Sequence, residues 1–125
     1  MNYEVTITES SKELNARDRI RVKDFSNAVS LDDATQSGPV LISYDYHVLC
    51  HVHNDKSDNP EYDKCVVVDP SGTKYVTGSA AFIRSLKDIL TECEGEIEPG
   101  EIVIECYRKP SKNYKGKDFI TCSLA

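Results

Sequence analysis

From Val40 to His53 the chain keeps a strict two-residue alternation. Val40, Ile42, Tyr44, Tyr46, Val48, Cys50 and Val52 take the even positions; after Leu41 the odd ones are Ser43, Asp45, His47, Leu49, His51 and His53. Successive side chains on a strand point to opposite faces, so this pattern predicts one long strand with a buried even face. At ~3.3 Å per residue a straight strand of that length would span about 45 Å. A chain of 125 residues has no room for it, so the strand is expected to coil or bend, as barrel strands do.

Other segments fall around this one. Tyr3, Val5 and Ile7 alternate as a short edge strand, and residues 18–23 (Asp-Arg-Ile-Arg-Val-Lys) read as a strand with Arg19, Arg21 and Lys23 on one face. Asp32 to Pro39 reads as a turn-rich connection with one helical turn. Cys65–Val68 and Lys74–Val76, joined by the turn Asp69-Pro-Ser-Gly-Thr73, form a hairpin. The period changes after Ser79, where Phe82, Leu86, Ile89 and Leu90 fall at helical spacing and Ser79 is placed to cap. Two more strands follow, around Ile102–Tyr107 and Ile120–Leu124. The order β-β-β-α-β-β is that of an OB-fold, so the expectation is a mainly β, five-stranded OB-fold-like barrel with its helix between strands 3 and 4. An α+β sheet with one packed helix is the alternative.

Length and composition suit one domain, residues 1–125, with a core from about 18 to 124. No apolar run reaches the ~20 residues of a membrane span, and the first residues lack a secretory pattern; a cytoplasmic protein is expected. The five cysteines are odd in number and have no C-x-x-C spacing, which points to reduced, buried thiols.

The net charge is −6, yet residues 107–117 hold five basic side chains and no acidic one, leaving −11 on the remaining 114 residues. Single-stranded nucleic acid is held by cations that meet phosphates and aromatic faces that stack bases. Arg108, Lys109, Lys112, Lys115 and Lys117 supply the first; Tyr107, Tyr114 and Phe119 supply the second. The row Arg19, Arg21 and Lys23 is expected to extend the same groove, because the first and fourth strands of a small barrel are neighbours. His47, Cys50, His51 and His53 resemble a metal motif on paper, but Cys50 points away from the histidines on a strand, so no metal is expected. Pro70-Ser-Gly-Thr-Lys74 lacks the spacing of a phosphate-binding P-loop, and no nucleophile with a base is identifiable; no cofactor and no enzymatic activity are expected.

The stretches Gly72-Thr-Lys-Tyr-Val-Thr-Gly-Ser79 and Lys109-Pro-Ser-Lys-Asn-Tyr-Lys-Gly-Lys-Asp-Phe119 resemble small proteins of phages and mobile elements of Gram-positive bacteria, some of them similar to OB-fold single-stranded DNA-binding proteins. The resemblance implies a replication or host-interaction setting and assigns no residue a role. The expected partner is single-stranded DNA, with host or phage replication proteins as further partners, and a homodimer is compatible with it. The alternative is an inhibitor of a host nuclease or defence complex, in which the acidic rows at 55–63 and 92–101 imitate phosphates.

Overall fold

The computed structural model describes residues 3–112 and 116–125. Its strands are β1 (Tyr3–Ser10), β2 (Val29–Ser30), β3 (Val40–Ser43), β4 (Tyr46–Asn54), β5 (Glu61–Val68), β6 (Lys74–Thr77), β7 (Val103–Pro110) and β8 (Asp118–Leu124). Its α-helices are α1 (Ala16–Lys23), α2 (Leu31–Ala34) and α3 (Ala80–Cys93). The fold is mainly β. Sheet I has the order β1-β4-β5-β6-β2 and sheet II the order β3-β7-β8. Among the described residues the two sheets stay open and do not close into one barrel.

The long alternating run bends where its length required it. Val40–Ser43 pairs with β7 in sheet II, and Tyr46–Asn54 lies between β1 and β5 in sheet I. The change of sheet falls on two adjacent amides: Tyr44 N–H donates to Ile102 O at 2.9 Å and Asp45 N–H to Val68 O at 3.0 Å. Crossing over changes what the even face covers. Ile42 and Tyr44 join a central core between the sheets, with Val67, Phe82 and Ile104. Val48 and Cys50 join a second core on the far face of sheet I, with Val22 and Val66. The odd face of β4 therefore meets the central core, which is why Leu49 packs there and His47 is buried.

Residues 18–23, expected as a strand, are helical. Asn15 caps the helix through its side chain, which accepts from Asp18 N–H at 2.8 Å. Asp18 in the first turn and Arg21 and Lys23 in the last complement the helix dipole. The apparent alternation misled because Ile20 and Val22 share a face only on a strand. On a helix they diverge by about 200°. Val22 is fully buried, whereas Ile20 is 70% exposed.

The hairpin and the long helix form where the pattern placed them. Asp69 closes the β5–β6 turn by accepting from Ser71 and Thr73 N–H, and Gly72 takes the positive φ of 92° that the turn requires. Ser79 caps α3 by accepting from Phe82 N–H at 3.2 Å, and its hydroxyl donates to Ile120 O at 2.5 Å. That second bond, with the Ser85–Thr121 hydroxyl pair at 2.9 Å, lays α3 along β8, an outer strand of sheet II. All five cysteines are free and buried. Burial pushes the Cys50 thiol up to about 11 and those of Cys65, Cys106 and Cys122 up to about 12, so these four stay protonated and pack as small apolar groups. Among the described residues no helix is long and apolar enough to cross a membrane.

Candidate nucleic-acid interface

The basic tract follows the register of β7 and β8. Cys106 faces Cys122 and Arg108 faces Ile120, while Tyr107 faces Thr121 and Lys109 faces Phe119. Cys106, Ile120 and Cys122 fill the central core. Alternation turns Tyr107, Lys109 and Phe119 to the other side of the sheet. There Phe119 is 36% exposed, Lys109 is exposed and Tyr107 is half-buried. Leu41, on the same side opposite Glu105, is also exposed.

At the end of this face the first turns of α3 and the β7–β8 ends enclose a cleft of about 690 Å³. Ala80, Ala81 and Arg84 line it from the helix; Lys109, Lys112 and Phe119 line it from the strand ends. A volume of this size is in the range of small-ligand pockets. Among the described residues three cations and one partly exposed ring converge on it. Ala80 and Ala81 are small, so the helix can approach without filling the space. Their position in the first turn adds the positive end of the helix dipole to the cations.

The remaining expected residues divide. Lys117 is exposed beside the tract, and its carbonyl accepts from Ser111 N–H at 2.8 Å. Tyr114 and Lys115 lie outside the described residues. Arg108 points the other way from Lys109: its Nε donates to Thr35 Oγ1 at 3.0 Å and its Nη2 to Asp32 O at 2.6 Å, so it fastens the α2 turn to β7. Replacing Arg108 with Gln is therefore expected to cost about 1 kcal/mol of stability in urea denaturation, the scale of a lost hydrogen bond.

Arg19, Arg21 and Lys23 do not join the tract. Val22 seats α1 on the face of sheet I that carries Val48 and Cys50, and sheet II packs on the opposite face. Sheet I thus separates the two cationic groups, and the continuous trough expected from a barrel is not formed. Arg19 Nη1 donates to Leu14 O at 2.6 Å, and Arg21 lies 3.9 Å from Asp18. The residue that sequence reasoning missed is Arg84. Ala80, Ala81 and Arg84 follow the Ser79 cap on a helix face free of the apolar stripe, but no local pattern ties that face to the basic tract.

The histidines separate as well. His47 is 5% exposed; its Nδ1 meets the Tyr44 hydroxyl at 2.8 Å, and its Nε2 has no hydrogen-bond partner among the described residues, with the Glu9 carboxylate 4.0 Å away; burial outweighs that carboxylate, lowers the pKa and favours the neutral ring. His51 and His53 are partly exposed at the far end of β4 among the carboxylates of Asp55, Glu61 and Asp63. Among the described residues no three His, Cys, Asp or Glu side chains converge as a metal site would require.

No protein-family model matches the chain, and neither a characterised protein nor a solved structure matches it.

Proposed function

We propose that this chain is a non-enzymatic single-stranded DNA-binding protein of a phage or mobile element. The strand is held in the cleft between α3 and the β7–β8 ends and over the adjoining face of sheet II. Arg84, Lys109 and Lys112 meet phosphates, with Lys117 beside them, and Phe119 stacks a base; Tyr107 offers a second ring two positions along β7. The observation that carries the reading is the convergence of Arg84, Lys109, Lys112 and Phe119 on one cleft from two separate parts of the chain. It does not require the closed barrel of an OB-fold, because the ligand lies on an open sheet face and its helical border. A cytoplasmic location and replication proteins as further partners follow from the same reading.

One observation weighs against phosphate mimicry by the acidic row at 55–63. Asp55, Glu61 and Asp63 are all hydrogen-bonded to imidazoles rather than presented as free charges.

Fluorescence anisotropy with labelled oligo-dT at low salt tests the proposal. Binding is expected, and Phe119→Ala is expected to weaken it by ~1–3 kcal/mol, the loss of one stacked base. If Phe119→Ala binds like the wild type, the ring does not stack. If binding is absent and a pull-down recovers a nucleic-acid-binding protein instead, the inhibitor reading replaces this one.

A further inference from the structure

The far end of the β4–β5 hairpin carries an unbroken row of five titratable side chains. Asp63 Oδ1 lies 3.0 Å from His51 Nδ1, and His51 Nε2 lies 3.1 Å from Glu61 Oε1. Glu61 Oε2 contacts His53 Nδ1, and His53 Nε2 lies 2.6 Å from Asp55 Oδ1. The register explains the row, since His51 is directly opposite Asp63 and His53 opposite Glu61 on one face of the sheet. Every ring nitrogen of both histidines thus faces a carboxylate. A carboxylate only accepts, and a neutral imidazole has one N–H. The complete row therefore exists only when both rings carry two protons.

The row adjoins the cleft through Ala80 and Arg84, of which only Arg84 is charged. Arg84, which lines the cleft, also lines a shallow depression with Asp63, Thr8 and Leu49. The neighbouring charges are few. On β1, Glu4 is opposite His53 and uncharged Thr6 is opposite His51. The turn after β4 supplies Asp55, and its Lys56 and Asp58 form no ion pair with the rings. From α3 the facing charge is Arg84.

We propose that Asp63–His51–Glu61–His53–Asp55 is a proton-operated gate on the cleft: charged imidazoles hold Asp63 away from Arg84, and loss of their charge weakens that hold, so that Asp63 can draw Arg84 off the bound phosphate. This rests on the proposed DNA-binding reading and adds its regulation. Hydrogen bonds to Asp63 and then Glu61 raise the His51 pKa above its ordinary 6.5, and the bond to Glu61 chiefly raises that of His53. Because the folded-state pKa values are raised, the row is complete below the ordinary value and is lost as pH rises through the raised ones. Glu61 is lowered, chiefly by its bond to His51, so at the acid end the row persists until pH falls through that depressed value.

Oligo-dT anisotropy is measured between about pH 6 and about pH 8.5, where imidazoles and the α-amino group titrate. Wild-type affinity is expected to fall roughly threefold to fivefold over this range, the scale of one exposed ion pair. His51→Gln/His53→Gln is expected to be flat at the weak level and Asp63→Asn flat at the tight level. Histidine NMR titration provides an independent readout: both pKa values should lie above the ordinary value, and Glu61→Gln should lower them. If the wild type binds but the three proteins share one pH profile, or the imidazoles titrate normally, the gate is wrong and the DNA-binding reading stands. If the wild type binds oligo-dT at no pH, both fall together.

Discussion

Phe82→Ala is expected to destabilise the protein by about 3–5 kcal/mol, the usual cost of deleting a buried ring. Phe82 is fully buried in the central core with residues of both sheets. It sits in the first turn of α3, between Ala81 and Arg84, which both border the cleft. Its amide caps onto Ser79, and its carbonyl accepts a 3.8 Å contact from Cys122 Sγ. Removing the ring empties the junction where α3 is held against β8. The surrounding strands are fixed by their own ladders and can collapse only partly, so a cavity remains. Urea denaturation is the measurement, with the midpoint moving down at nearly unchanged slope. A loss below about 1 kcal/mol would mean that α3 is not seated by this residue, a cost closer to a volume-conserving swap.

The second large effect is on binding. Replacing Arg84, Lys109 and Lys112 together with Gln removes the cleft's positive lining and leaves its shape and Phe119 in place. Each exposed ion pair contributes up to ~1 kcal/mol, so the triple variant is expected to lose roughly tenfold or more of its low-salt affinity for oligo-dT. Replacing Arg19, Arg21 and Lys23 instead changes the net charge by the same amount on the far side of sheet I. That variant is expected to stay near wild type apart from a general charge effect. The pair therefore separates a local site from non-specific attraction: equal losses would mean that position on the surface does not matter.

Much of the fold was legible from local rules. The Ser79 cap with its apolar helical stripe, the Asp69–Thr73 turn and the β7 and β8 alternation all agree with the structure, because each is specified by residues close in sequence. The 40–53 run was legible as extended and too long to be straight. Its division between two sheets was not, because both halves keep one period and only the partners of Tyr44 and Asp45 tell them apart. The segment 18–23 failed for a related reason: with one buried apolar residue, Val22, the alternation was chance, while Asn15 and Asp18 held the better signal of a helix start. At the candidate site, Lys109, Lys112 and Phe119 were legible as a charged, aromatic tract. Arg84 was not, because it joins them only when α3 lies along β8. Arg108 sat in the same tract but one position out of register, which turns its guanidinium onto Thr35 and Asp32.

The claim on which the account turns is that phosphates sit against the cations of this cleft. The direct test is the slope of log affinity against log salt for oligo-dT. Three neutralised phosphates on a single strand predict a slope of about −2 for the wild type. The Arg84/Lys109/Lys112 variant should bring it close to zero, and the Arg19/Arg21/Lys23 variant should leave it unchanged. No binding by the wild type at tens of micromolar in low salt, or a slope that the cleft variant leaves intact, would contradict the account.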